Sequence, residues 1–432
     1  MNIRLYNARI LTMEKDKPIF RGEIWIKEEQ IVYIAKDDEV ETVCGPDFPK
    51  LKWDREIDCE GNLLMPGFKD AHTHSAMTLM RSLADDLPLQ EWLETKIFPT
   101  EAKLTGEDIY ELTKLAVLEY LTSGITGIFD MYLTPDTVAK ACEEMGMRCV
   151  LVSGLNNFTS SIEQTEKEFL KWNEPNSLIS YKLGCHAEYT CDMELLKKLA
   201  DLAHKYQAPI FAHMSETKKE VEDCIEKYGM SPMALFESLG LFDFGGGIYH
   251  GVYLSDEDKK ILKKRNVFII TNPASNAKLA SGIAPIKTYL EDGITIAIGT
   301  DGPSSNNCLD MFREMFLVAA LNNLLEKDAS AVSAKDILQM STVNSAHAMG
   351  LVDADILAQG KLADIIMIDL QQPNMQPIHN IVNNLVFSGS KINVKMTMIN
   401  GKILYENQKF FVGMEPGKIY EKCKHIAERV IC

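Results

Sequence analysis

Two histidines, His72 and His74, sit two residues apart at the end of the run Leu63-Leu64-Met65-Pro66-Gly67-Phe68-Lys69-Asp70-Ala71. The run reads as a single strand, and on a strand residues two apart point to the same face. Both imidazoles then leave one strand end together and can share a metal ion. Alone this spacing is weak, because His-x-His also arises by chance. It gains weight from His186, His213, His250 and Asp301, each at or just after the end of a later apolar run. Several imidazoles with a carboxylate suit Zn²⁺, and Fe²⁺ nearly as well. Such a metal lowers the pKa of its water to roughly 7, so the reaction class is metal-assisted hydrolysis. Asp301 can ligate the metal and also accept the water's proton. Glu216, three residues after His213, can shuttle a proton to a substrate; alternatively it caps the helix that begins near Thr217.

These groups need a scaffold that brings distant strand ends together. Strand signals fall at 63–74, 125–131, 148–155, 178–186, 209–214, 247–250, 267–271 and 295–300. Helical patterns separate them. One opens with the capping box Thr105-Gly106-Glu107-Asp108; another has Thr134 as cap and Pro135 in its first turn and stops at Gly146. Ser255 caps a third. Eight βα units in succession predict a closed (β/α)₈ barrel of TIM type, with chemistry at the C-terminal strand ends. An open doubly wound sheet is the alternative, but it would carry a Gly-rich turn after its first strand. Gly245-Gly246-Gly247 precedes a strand instead. Short alternating runs at 2–36 and again at 363–368, 394–399 and 402–405 predict antiparallel strands. The expected architecture is α/β, with a small β-sandwich module from both termini (1–64 and 357–432) around a barrel at 65–356.

The chain has 432 residues, 46% hydrophobic and 25% charged, which is ordinary globular composition with room for two cores. Its net charge of −17 would repel a phosphate backbone, so nucleic acid is not an expected partner. The ten cysteines include no C-x-x-C pair and read as reduced thiols, as in a cytoplasmic protein. The first residues do not resemble a signal peptide, and no run approaches a membrane span of roughly 20 residues.

Larger motifs carry a family resemblance. Residues 66–74, Pro-Gly-Phe-Lys-Asp-Ala-His-Thr-His, resemble the strand-one signature of the amidohydrolase superfamily, and Thr300-Asp301-Gly302 resembles its strand-eight signature. Asn272-Pro273-Ala274-Ser275-Asn276, residues 299–307, Met77-Thr78-Leu79-Met80-Arg81 and residues 86–93 resemble the subgroup of adenosine-type deaminases and triazine chlorohydrolases. Residues 360–365 resemble the return into that family's β module. The methylthioadenosine/S-adenosylhomocysteine deaminases are most similar.

The resemblance implies one divalent metal held by His72, His74, His213 and Asp301. It implies that His250 orients the attacking hydroxide and that Glu216 protonates the ring nitrogen beside the attacked carbon. Asp301 would pass the water's proton to departing ammonia. Glu101 would receive ribose hydroxyls, His186 would contact the purine, Trp92 would wall the 5′-substituent pocket, and Ser305 would touch substrate. Each has a structural alternative: a strand-end histidine for His250, a solvated acid for Glu101, a satisfied histidine for His186 and a core aromatic for Trp92. Met77, Met80 and Met131 either line an apolar pocket or fill core.

Relatives that take S-adenosylhomocysteine commonly carry arginines after strand three. Here Leu151-Val152-Ser153-Gly154 and residues 156–161 have none, and Arg148 lies earlier in the strand. Without a bidentate partner a carboxylate binds less well, so methylthioadenosine, adenosine or 5′-deoxyadenosine is expected ahead of S-adenosylhomocysteine. Lys182 lies four residues before the expected end of strand four, too deep to bridge two metals, so one metal is expected. Rival readings are deamination of guanine, cytosine or a pterin, chlorotriazine hydrolysis, and an inactive scaffold. The chain lacks the P-C-x-x-C element of zinc deaminases acting on nucleic-acid bases. The resemblance also implies a homo-oligomer.

Overall fold

The computed structural model describes residues 1–37, 52–83, 85–87, 89–175 and 177–431, without the side chains of Leu89 and Gln90. Cys44, Cys432 and Pro88 of the 86–93 motif lie outside these residues. Among the described residues seventeen strands follow one another. The first five are β1 (Asn2–Ile10), β2 (Phe20–Lys27), β3 (Gln30–Lys36), β4 (Arg55–Asp58) and β5 (Leu63–Pro66). Eight more are β6 (Phe68–Thr73), β7 (Ile125–Asp130), β8 (Arg148–Val152), β9 (Ile179–Gly184), β10 (Ile210–Met214), β11 (Gly246–His250), β12 (Val267–Thr271) and β13 (Ile296–Ile298). The last four are β14 (Ile365–Ile368), β15 (Val394–Ile399), β16 (Lys402–Glu406) and β17 (Lys409–Phe410).

Strands β6 to β13 form one parallel sheet in chain order. It closes on itself where Thr73 bridges Asp301 and the Asp301 N–H donates to the His72 carbonyl at 2.9 Å. The sheet is therefore the (β/α)₈ barrel. Phe129, Val150, Phe211, Tyr249 and Ile270 fill its interior, so the barrel is a packed core with its chemistry confined to the rim. The glycine run before β11 serves packing: a Cβ on Gly246 would lie 1.9 Å from the Ile210 carbonyl oxygen.

The expected strand at 63–74 is two strands in two sheets. β5 pairs with β1 and β14, whereas β6 pairs with β7. The chain crosses at Gly67, whose N–H donates to the Asp364 carbonyl at 3.0 Å, and the next N–H, of Phe68, donates to that of Gly124 at 2.9 Å. A Cβ at Gly67 would sit 2.1 Å from Thr126 Cγ2, so only glycine fits this passage. The terminal sheet thus runs to Pro66, past the limit expected at 64.

That terminal module is a nine-stranded sheet built, as expected, from both ends of the chain, ordered β17-β16-β15-β14-β5-β1-β2-β3 with β4 on β1. Ile3, Leu5, Ile24, Ile26, Met396 and Met398 share its core. The C-terminal stretch is not wholly part of it. Helix Pro416–Ile431 lies on the barrel helix Gly106–Thr122, with Lys422 Nζ 2.5 Å from Glu111 Oε1 and Arg429 Nη2 2.5 Å from Asp108 Oδ1.

Local signals act at most helix ends. Thr105 and Asp108 form the expected reciprocal box, and Ser255 with Asp258 forms another. Thr134 differs. Its φ is +48°, and its hydroxyl bonds Thr137 Oγ1 at 2.7 Å, so it precedes helix Pro135–Met145 without capping it. At the opposite end of the barrel from the metal-ligand cluster, Arg148 makes a buried bidentate pair with Asp364 at 2.7 and 2.9 Å, and Lys69 Nζ lies 4.0 Å from the same carboxylate. Arg148 is committed there and does not reach the substrate side.

Candidate active site

Five strand-end groups converge. The ligand atoms of His72, His74 and Asp301 lie within 4.8 Å of one another, and so do those of His72, His213 and His250. His74 Nε2 and His72 Nε2 stand 3.2 and 3.6 Å from Asp301 Oδ1. Two of the outer ring nitrogens are already used: His74 Nδ1 bonds the Met131 carbonyl at 2.5 Å and His213 Nδ1 the His186 carbonyl at 2.8 Å. Donation from Nδ1–H leaves the Nε2 lone pair pointing inward, the tautomer a metal requires.

His72 stacks on Tyr249 with ring centroids 3.7 Å apart, and neither of its nitrogens has a hydrogen-bond partner. Two orphaned buried ring nitrogens are costly unless something binds them. This donor set, neutral imidazoles with one carboxylate, fits a divalent cation. Burial and the neighbouring His74 push the His72 imidazole well below the ordinary histidine range, and burial does the same to His213. Burial opposes charge on His74 and Asp301 too, but their mutual contact prevails. It lifts His74 to about 9 and holds Asp301 well below the usual carboxylate range. A metal would displace that shared proton.

Asp301 is held from behind, Oδ2 accepting from Ser275 Oγ at 2.5 Å and Ser305 Oγ at 3.0 Å. Ser305 also faces the Gly302 carbonyl at 3.1 Å, so its hydroxyl serves Asp301, which departs from the expected substrate contact. Ser215, His250 and Asp301 have φ of +55°, +72° and +60°. Three non-glycine residues in the left-handed region at one rim mark backbone strained to aim side chains.

Glu216 is 5% exposed. Its Oε1 accepts from Ser281 Oγ at 2.9 Å and its Oε2 lies 3.7 Å from His250 Nε2. Burial raises its pKa above the ordinary glutamate value, with His250 opposing. It does not cap the following helix. Thr217 and Glu220 do that, the Glu220 carboxylate accepting the N–H groups of Ser215, Glu216 and Thr217 at 2.5, 2.8 and 3.3 Å. His250 Nδ1 is held by Asn276 Oδ1 at 2.7 Å.

A cavity of about 850 Å³ opens over the cluster. Trp92, Glu101, His186, Glu216, His250 and Ser305 all line it, and among the described residues its lining includes no lysine or arginine. Glu101 ends the short helix Phe98–Glu101 beside the Tyr132 hydroxyl, and burial pushes it up to about 6. His186 Nδ1 lies 3.2 Å from Thr190 Oγ1, and burial takes the ring down to about 4. Met77 and Met131 line the cavity, whereas Met80 is buried away from it.

Sequence reasoning missed Ser275, Asn276, Ser281, Glu220 and Tyr249. A signal existed for Glu220, because Thr217-x-x-Glu220 is a capping box. Ser275 and Asn276 stood inside a motif without a role of their own.

The chain belongs to the amidohydrolase family, a metal-dependent group whose model matches residues 63–404. A 5-methylthioadenosine/S-adenosylhomocysteine deaminase of Thermoanaerobacter pseudethanolicus is 40% identical over 94% of each chain. A 5′-deoxyadenosine deaminase of Methanosarcina acetivorans is 37% identical over 100% of this chain and 98% of that one. Among solved structures, an adenosine deaminase from Xanthomonas campestris with bound zinc superposes with TM-score 0.92 at 28% identity, covering 99% of this chain and 98% of that one. Among the described residues, no helix is long and apolar enough to cross a membrane.

Proposed function

We propose that this protein is a zinc-dependent hydrolytic deaminase of adenosine-type nucleosides, releasing ammonia and an inosine-type product. The observation that carries this reading is Glu216: a buried carboxyl with raised proton affinity, beside His250 and lining the cavity that opens over the metal-ligand cluster. Simple hydrolysis needs a base, whereas expelling ammonia from an aromatic ring also needs an acid at the ring nitrogen.

His72, His74, His213 and Asp301 would hold the metal, which when bound supplies Lewis acidity and brings a water's pKa near neutrality. Asp301, aimed by Ser275 and Ser305, takes the proton from the attacking water. Glu216, aimed by Ser281, protonates the ring nitrogen next to the carbon under attack. That proton neutralises the negative charge that attack would otherwise leave on the ring nitrogen. His250, its Nδ1–H donated to Asn276 Oδ1, orients the attacking water with its other ring nitrogen. Asp301 returns its proton to the amino group, which leaves as ammonia while the hydroxyl on the same carbon gives its proton back to Glu216 and becomes the product carbonyl. Glu101 receives the ribose hydroxyls, His186 meets the purine and Trp92 walls the 5′ side.

Without lysine or arginine among the described residues of its lining, the cavity offers no counter-charge to a 5′-carboxylate. The preferred substrates are therefore methylthioadenosine, adenosine and 5′-deoxyadenosine. Ammonia release from these, S-adenosylhomocysteine, guanine, cytosine and a pterin, beside chloride release from a chlorotriazine, tests the reading. S-adenosylhomocysteine as the best substrate would overturn the ranking; turnover of the chlorotriazine alone would overturn deamination. Cytoplasmic location and a homo-oligomeric state belong to the same proposal, and light scattering of the purified protein reads the second.

A further inference from the structure

Lys182 plays no part in the site above. It lies on β9 at the end of the barrel remote from the metal ligands, where a Cβ on Gly350 would come within 3.0 Å of its Nζ. There it enters a second cavity, of about 370 Å³, lined also by Asp243, Lys264, Arg265, Asn266 and His347. No residue lines both cavities.

The charges in this lower cavity do not balance. Asp243 is its one acidic lining residue, and it is already engaged by Arg265 Nη1 at 3.0 Å and His204 Nε2 at 2.9 Å. Arg265 and Lys264 share Glu237, at 2.7 and 3.0 Å. Among the described residues Lys182 has no such partner. Burial alone acts on its ammonium, lowering its pKa, and no carboxylate opposes that. A half-buried ammonium without counter-charge is costly, and the cheapest remedy is an anion. Lysine, arginine and the asparagine amide supply N–H donors, the complement of an acceptor-only ligand.

We propose that this lower cavity binds a small oxyanion, a phosphate or a carboxylate, with Lys182 at its floor and Lys264, Arg265 and Asn266 at its rim. The site is separate from catalysis, on the face where barrel proteins otherwise concentrate stability.

The test uses the metal-loaded full chain, titrated separately with inorganic phosphate and with malonate. Thermal unfolding is the readout, with ³¹P line width for phosphate. In anion-free buffer Lys182→Met should unfold at the same temperature as the parent or higher, because an apolar chain of similar length replaces an unpaired charge. Added anion should then stabilise the parent and Lys182→Arg, with affinity for Lys182→Met weaker by about tenfold or more. Lys264→Met, at the exposed rim, should weaken binding less, and it serves if Lys182→Met fails to fold. Ammonia release should be unchanged in these variants. Tighter phosphate binding assigns the phosphate class and tighter malonate binding the carboxylate class. Absence of binding by both anions, or equal affinity in parent, Lys182→Met and Lys264→Met, would refute the site.

Discussion

The Glu220 carboxylate accepts the backbone N–H of Glu216 at 2.8 Å, so one acid fixes the peptide that carries another. Glu220 also takes the N–H groups of Ser215 and Thr217. Its side chain closes the start of helix Lys218–Tyr228 and holds Ser215 in a left-handed conformation. Glu220→Ala should cost about 1–2 kcal/mol, as loss of a helix cap does. It should also lower kcat more than it raises KM, because Glu216 loses its aim. An unchanged kcat in a less stable variant would confine Glu220 to capping.

Glu216→Gln keeps the shape and the Ser281 contact but cannot deliver a proton. Metal content should be unchanged and kcat should fall by roughly 10²–10⁴. Metal analysis beside ammonia release checks both halves. Full turnover in this variant would remove Glu216 from proton transfer.

Asn276→Ala removes the group that holds His250 Nδ1. Since the expected loss is orientation of one imidazole, kcat should drop on the order of tenfold to a hundredfold with KM little changed. Steady-state kinetics on methylthioadenosine read the split.

Chelation should abolish turnover and lower the unfolding temperature, since the His72 nitrogens are then left buried without partners. Zinc should restore both. Elemental analysis should find about one ion per chain, given three imidazoles and one carboxylate for a four-ligand site. Two tightly held ions would contradict the single-metal reading.

Asp364 makes an acid-stability prediction. Burial works against its charge, but Arg148 prevails and holds the carboxyl below its ordinary 3.8. A folded-state pKa below the unfolded one contributes stability above the unfolded value, and that stability is lost as pH falls through the folded value. Asp364→Asn should cost about 3–5 kcal/mol near neutrality, leaving Arg148 and Lys69 buried and uncompensated. The variant should also show a shallower fall in unfolding temperature below pH 3.8. A variant as stable as the parent at pH 7 would show that the pair is dispensable.

His72, His74, His213, His250 and Asp301 could be read from the sequence because each ends or follows an apolar run. The two-residue strand period and the barrel's parallel order then fix which rim they share. Ser281 and Asn276 could not. They come from the segment after β12, whose path depends on packing that no periodicity reports. The change of sheet at Gly67 was hidden for a different reason. Leu63–Pro66 and Phe68–Thr73 are buried throughout, so their apolar pattern is the same in either sheet. Lys182 was correctly placed too deep for the metal, but its lack of a partner is a property of the surrounding fold.

The passage at Gly67 has a consequence for how the chain reaches its native state. β5 leads directly into the strand that carries His72 and His74, and β14, some three hundred residues later in synthesis, is its antiparallel neighbour. An emerging N-terminal segment therefore holds two of the metal ligands before the strand that completes their anchorage exists. Contacts of such wide sequence separation form late and slowly, so the metal centre matures only when nearly the whole polypeptide is present.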